Sequence, residues 1–199
     1  CSMNTMDSAH DPIREGWRNF LIEAAFAKGY KTPYVIESGG PVANNPVLDT
    51  LLPSLLIVKL ASLIDEALSE CIVRRGLTMP KKCRPDLKGK INFLTDCGHL
   101  KDETQLHKLR NFRNELAHES TGKANWKELE TSIEIANEAL QHLGFVGARP
   151  QFEISAERVP AEPVDPNYLM SFNYSVTLKS EGKKVAELTW SRHLHRDGE

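Results

Sequence analysis

The chain has 199 residues, of which 40% are hydrophobic and 26% are charged, and its formal net charge is −2. This length fits one domain with a small appendage, and the composition allows a core. No apolar run reaches 18 residues and the start lacks the basic and apolar regions of a signal peptide, so we expect no membrane span or secretion signal. Four cysteines without CxxC spacing favour reduced thiols in a cytoplasmic protein.

Helical patterns occupy the first part of the chain. An Asp-Pro start and Gly29 predict a helix over 11–30, and two Gly/Asn/Pro clusters predict a loop over 34–46. Leucines and isoleucines then recur at helical spacing over 47–75, where Pro53 predicts a kink or a restart. So broad an apolar face is typical of the central helix of a bundle.

Three further helices follow. Residues 86–97 predict a short helix, and Asp102 or Thr104 caps the helix that runs to residue 118. Residues 125–144 predict an amphipathic helix with a capping signature at its start and a glycine at its end.

The pattern changes after residue 145. Period-two alternation over 172–190, interrupted by a turn at 180–183, predicts a β hairpin, and residues 151–155 are a possible third strand. We therefore expect a mainly α fold, with a helical bundle over 11–145 (core 47–144) and an extension over 146–199 that carries the hairpin.

The helix ending at residue 118 carries an arginine in its apolar stripe. Leu106, Leu109, Phe112 and Leu116 lie on one side at core-facing spacing, and Arg113 lies among them. A guanidinium keeps its charge at any ordinary pH, and its unpaired burial is very unfavourable. The stripe at Arg113 therefore indicates a cleft or an interface instead of a sealed core.

The polar residues of this helix fit metal-free RNA cleavage. His118 can exchange a proton with the ribose 2′-OH or the leaving 5′-oxygen, Arg113 can hold the phosphate, and Asn114 can orient either group. Asn114 and His118 share a face, whereas Arg113 lies about 140° from His118. The two meet only if the helix end unwinds or if two copies face each other across a two-fold axis.

The run Arg113-Asn114-Glu115-Leu116-Ala117-His118, with the helix order around it, resembles the signature of the HEPN superfamily (higher eukaryotes and prokaryotes nucleotide-binding domains). The resemblance covers residues 47–144. It implies a helical bundle that works as a homodimeric, metal-independent endoribonuclease without cofactors, leaving 2′,3′-cyclic phosphate and 5′-hydroxyl ends. Arg113 and His118 would be catalytic and Asn114 supportive. Some members add an acid on an earlier helix, a position open here to Asp65 or Glu66.

The same resemblance implies toxin or phage-defence effectors, with RNA and an inhibitor or antitoxin protein as partners. A basic run over 74–90 supplies phosphate contacts in this interpretation, although a solvated loop explains it equally well. The candidate RNA-binding residues are Arg74, Arg75, Lys81, Lys82, Arg84, Arg110 and His107.

Two alternatives compete with this interpretation. In a non-catalytic dimerisation or binding module, Arg113 would be salt-bridged within the fold and His118 would be covered. In an antitoxin or nucleotide-binding partner, the same helices would serve recognition only. A zinc site built from Cys97, His99 and nearby histidines matches no common ligand spacing, so we expect no metal.

Overall fold

The computed structural model describes residues 11–38, 47–118, 122–161 and 168–195. Within these ranges the chain is mainly helical and ends in a small three-stranded antiparallel sheet, as predicted. The elements are α1 (Pro12–Ser38), a π-helical turn (Val47–Leu51), α2 (Leu52–Arg74), α3 (Leu87–Asp96), α4 (Glu103–His118), α5 (Trp126–Leu143), β1 (Glu153–Ala161), β2 (Tyr168–Ser180) and β3 (Lys183–His195).

The chain divides into two compact units. The first comprises Cys1–Phe20 and Pro46–Arg149, and the second comprises Leu21–Asn45 and Pro150–Glu199. The second unit thus joins the later half of α1 to the strands, a grouping that the alternation of the strands alone does not indicate. None of the helices in the described ranges is long and apolar enough to cross a membrane.

The first unit is organised around α2. Its side chains Leu60, Ile64 and Leu68 are almost completely buried, as expected of the central helix of a bundle. Pro53 lies at the start of α2, after the π-helical turn, so the proline restarts the helix as predicted. Two helices contribute further fully buried side chains, Ile91 and Leu94 from α3 and Ile133 and Leu140 from α5.

Helix α5 has the predicted ends. The Asn125 side chain accepts hydrogen bonds from the backbone N–H groups of Lys127 and Glu128, and the Glu128 carboxylate accepts one from Asn125 N at 2.8 Å. This is the reciprocal capping box. Gly144 ends the helix with φ 85°, a left-handed conformation that glycine adopts without strain.

Helix α1 is longer than predicted. Residues 34–38, expected to be loop, are helical, and the remaining part of that expected loop, 39–46, lies outside the described residues. Gly29 does not end the helix. A Cβ placed on it would lie 2.8 Å from Val176 Cγ1 and 2.9 Å from Ile154 Cγ2, so the glycine lets the helix approach the sheet closely.

The sheet of the second unit has strand order β1-β2-β3. The predicted hairpin is formed by β2 and β3, joined at Glu181 and Gly182, and β1 adds the third strand. Val176 and Leu178 on β2 are fully buried, and Tyr174 stacks on Trp190 of the opposite strand with ring centroids 5.2 Å apart. The apolar face of the sheet is therefore centred on β2.

The start of α1 is tied to the end of α2. Asp11 caps α1 through Ile13 N at 3.0 Å, and its two carboxylate oxygens accept hydrogen bonds from Arg74 at 3.0 and 3.2 Å. The guanidinium also contacts Glu70 at 2.7 Å and lies over the Phe145 ring. The hydrogen bond from Arg74 holds the pKa of Asp11 below its ordinary value.

Asp11→Ala should lower the free energy of unfolding more than Asp102→Ala does. Asp102 is the matched control, because its side chain also caps a helix by accepting a hydrogen bond from Thr104 N. We expect losses of about 2 and about 1 kcal/mol in the free energy of unfolding, because only Asp11 also pairs with an arginine. The pairing of Asp11 with Arg74 contributes fully to the free energy of unfolding at pH values above the unfolded-state pKa of Asp11. This contribution is lost as the pH falls through the lower folded-state pKa. Urea denaturation at several pH values measures both effects, and equal losses for the two variants at neutral pH would contradict the prediction.

Candidate functional site

A cleft of about 380 Å³ lies between α2, the start of α3 and α4, within the first unit. Its size is in the range of small-ligand pockets. Polar and charged side chains dominate its walls. The lining residues are Ala61, Ser62, Asp65 and Glu66 from α2, Asp86, Leu87 and Lys88 at the start of α3, and Arg110, Arg113 and Asn114 from α4.

The cleft explains the arginine in the apolar stripe of α4. Leu106 and Leu109 are 2% exposed, whereas Phe112 and Leu116 are only partly buried. The stripe therefore meets the core in the first half of the helix and leaves it in the second half. Arg113 is partly buried and lines the cleft, so its charged group remains within reach of water or of a ligand.

Neither arginine of the cleft pairs with a carboxylate in the part of the chain that the structure describes. Arg113 Nη1 donates to Asn114 Oδ1 at 3.0 Å, and Arg110 Nη2 donates to Asn111 Oδ1 at 2.5 Å. Arg110 Nε is buried and has no hydrogen-bond partner in the described residues. Neither guanidinium forms an ion pair within the described part of the chain, so two positive charges remain available to an anion.

Two of the three carboxylates that line the cleft bond to other groups of the protein, and the third has no partner in the described residues. Lys90 Nζ donates to Asp65 Oδ1 at 2.8 Å, and Asp86 caps α3 by accepting from Gly89 N at 2.8 Å. Glu66 forms no hydrogen bond or ion pair in the parts of the chain that the structure describes. With Lys90 included, the cleft has four positive side chains and three negative ones, a local charge of +1. The positive residues are Lys88, Lys90, Arg110 and Arg113, and the negative residues are Asp65, Glu66 and Asp86.

Gly89 fixes the wall of the cleft that α3 provides. A Cβ at this position would lie 1.9 Å from the carbonyl oxygen of Arg84, a distance that real Cβ atoms do not reach. The segment before α3 therefore lies directly against the first turn of that helix. This close approach positions Asp86 and Lys88 at the cleft.

His118 lies outside the cleft lining. It is the last residue of α4, it is exposed, and it follows Asn114 by one turn on the same face of the helix. Residues 119–121, on which the predicted unwinding of the helix end depends, lie outside the described residues. The structure thus brings Arg113 and Asn114 together in one cleft and leaves His118 beside it. The binding-module alternative expects a salt-bridged Arg113 and a covered His118. In the described residues Arg113 forms no salt bridge, and His118 is exposed.

The predicted RNA-binding residues fall into three groups. Arg74 is engaged by Asp11, Glu70 and Phe145, and Arg75 Nη1 lies 3.2 Å from His99 Nδ1. His107 Nε2 lies 2.8 Å from Asn92 Oδ1 of α3. Three residues, Lys81, Lys82 and Arg84, are exposed between α2 and α3, and Arg110 alone of the set lines the cleft with Arg113.

Sequence reasoning missed part of the site. The sequence places Lys88 and Lys90 in the basic run over 74–90 without assigning either to a site, yet Lys88 lines the cleft and Lys90 neutralises Asp65. The available signal was the spacing of Ser62, Asp65 and Glu66, polar positions on one side of an otherwise apolar helix. Asp65 and Glu66, the acids that the resemblance left open, both line the cleft.

Among the described residues, no group of three or more His, Cys, Asp and Glu side chains is arranged to hold a metal ion. Comparison of the chain with protein-family models, with curated proteins and with solved structures finds no match. Function is therefore inferred from the geometry and chemistry of the cleft.

Gly89→Ala should destabilise the chain by about 1–3 kcal/mol, because the added methyl group overlaps the Arg84 carbonyl and forces the backbone apart. Gly147→Ala is the control, since a Cβ added there meets no atom within 4 Å beyond the adjacent residues of the chain. Denaturant unfolding compares the two variants. A Gly89 variant as stable as the Gly147 variant would contradict the assignment of Gly89 as a close-approach position.

Proposed function

We propose that the chain is a metal-independent endoribonuclease of the HEPN type, which cleaves RNA through attack of the 2′-hydroxyl. The products would carry 2′,3′-cyclic phosphate and 5′-hydroxyl ends. The observation that carries the proposal is the cleft on α4, where Arg113 is partly buried beside Asn114 and, among the described residues, has no carboxylate partner. The non-bridging oxygens of an RNA phosphate can accept two parallel hydrogen bonds from such a guanidinium.

In this mechanism Arg113 holds the scissile phosphate and offsets the charge that develops on its oxygens. Asn114 accepts a hydrogen bond from the guanidinium at 3.0 Å and so orients it toward the cleft. The requirement for a 2′-hydroxyl nucleophile makes the activity specific for RNA over DNA.

His118 supplies the proton transfer. The reaction needs a base for the 2′-hydroxyl and an acid for the leaving 5′-oxygen, and imidazole serves both roles near neutral pH. His118 does not line the cleft of its own chain, so we propose that a homodimer brings a second His118 to it. Leu55 of α2, 55% exposed, lies seven residues before Ser62 of the cleft on the same face of that helix, and Leu51, 50% exposed, ends the π-helical turn that precedes α2. We propose that these two leucines offer an apolar surface to the second copy.

The biological setting follows from the resemblance. We propose a cytoplasmic toxin or phage-defence effector, held in check by an inhibitor or antitoxin protein. The second candidate is a non-catalytic binding module with the same dimer surface. The location of His118 outside the cleft lining favours that candidate, whereas its exposure and the absence of an ion pair at Arg113 in the described residues count against it. Cleavage assays separate the two.

Purified protein incubated with mixed RNA in EDTA should produce 2′,3′-cyclic phosphate ends. Arg113→Ala and His118→Ala should each lower the rate at least about 100-fold, because they remove the phosphate ligand and the proton-transfer group.

His142→Ala is the matched control, since this exposed histidine of α5 lies outside the cleft and should leave the rate unchanged. Mass spectrometry of the product ends and size-exclusion analysis of the dimer complete the measurement. Cleavage that persists in His118→Ala would contradict the proposed mechanism, and a dimer that binds RNA without cleaving it would favour the binding module.

A further inference from the structure

We propose that Arg110 and Lys88 form a second phosphate subsite in the same cleft, next to Arg113. The subsite would bind the phosphate that adjoins the scissile one, so the preferred ligand is an RNA chain with at least two successive phosphates. This inference rests on the proposed function for the identity of the ligand, and its test separates the two.

The positions of the two arginines support a pair of phosphate sites. Arg110 and Arg113 are three residues apart on α4, a spacing that places their Cβ atoms about 5–6 Å apart on neighbouring positions of one face. Both side chains line the cleft, and both bond only to neutral amides in the described residues. A single phosphodiester carries one negative charge and offsets one of these guanidinium charges, whereas two successive phosphodiesters offset both.

The order along α4 assigns the roles. Arg113 holds the scissile phosphate in the proposed function, and Arg110 lies about one turn before Arg113 on the part of α4 that lines the cleft. The adjoining phosphate of the same strand then reaches Arg110. Lys88 lines the cleft from the start of α3 and supplies a second positive charge there. Its flexible ammonium suits a phosphate contact that need not be bidentate.

The buried donor of Arg110 strengthens the assignment. Its Nε is shielded from solvent and lacks a hydrogen-bond partner in the described residues. An unpaired buried donor is unfavourable, and a bound phosphate that draws the guanidinium toward the cleft would relieve this cost. Arg113 has no such atom in the structure. The two arginines therefore differ in surroundings, as expected of two distinct subsites.

Glu66 opposes binding in the same cleft. Its carboxylate lines the cleft and forms no ion pair with either arginine in the described residues. A negative charge there repels a phosphate chain and weakens its binding, while Asp65 is neutralised by Lys90. Replacing Glu66 with glutamine should therefore strengthen binding of phosphate chains, opposite in sign to the effect of losing Arg110.

The experiment measures binding of non-cleavable DNA oligonucleotides by the full chain. A deoxytrinucleotide has two phosphates between its sugars and a deoxydinucleotide has one. Arg110→Gln and Lys88→Gln should each weaken trinucleotide binding about tenfold, the loss of one charge-assisted contact, and should leave dinucleotide binding within about twofold. Each variant should also reduce the salt dependence of trinucleotide binding by about 0.7 in log–log slope. Glu66→Gln should tighten trinucleotide binding.

Arg18→Gln is the control, because this exposed arginine of α1 does not line the cleft. Equal losses for the two oligonucleotides in Arg110→Gln and Lys88→Gln would overturn the subsite. Tight binding of inorganic pyrophosphate with no preference for the trinucleotide would also overturn it, because the site would then select free diphosphates. If Arg110→Gln fails to fold, the subsite is tested by Lys88→Gln alone, because Lys88 is exposed and its substitution should not affect folding. Length-dependent binding without RNA cleavage would support the subsite and reject the nuclease, so the two proposals fail separately.

Discussion

The absence of a carboxylate partner for Arg110 and Arg113 in the described residues is the constraint on which the account of this protein depends. Two guanidinium groups on one turn of α4 are partly buried beside three acidic side chains, and neither pairs with any of them. Asp65 is neutralised by Lys90 and Asp86 is used as a helix cap. No carboxylate of the described residues neutralises the two guanidinium charges, an arrangement suited to an anionic ligand.

The fold keeps this arrangement in place. Helix α2 is held by the buried core of the first unit, and α4 is anchored through Leu106 and Leu109 in its first half. The second half of α4, which carries Arg113, is the half that leaves the core. Gly89 lets the segment before α3 close the third side of the cleft. The charged side chains of the cleft therefore lie on helices whose opposite faces are packed in the core. This packing limits the movement of the helices and favours ligand binding.

Much of the fold was predictable because its signals are local. The caps of α5, the restart at Pro53 and the hairpin alternation act through neighbouring residues. Gly29 misled the prediction of α1 because its role is a close approach to strands more than 100 residues later in the chain. The position of Arg113 at a cleft was predictable from its place in the stripe. The pairing of Lys90 with Asp65 and the engagement of Arg74 by Asp11 were not, since both depend on contacts between distant segments.

The most direct test is a crystal structure with a short RNA whose attacking 2′-hydroxyl is blocked by a methyl group. The account predicts a phosphate on Arg113, the adjoining phosphate near Arg110 and Lys88, and the His118 side chain of the second copy beside the blocked oxygen. RNA bound instead along the exposed segment of Lys81, Lys82 and Arg84, with the cleft on α4 free of phosphate, would contradict it.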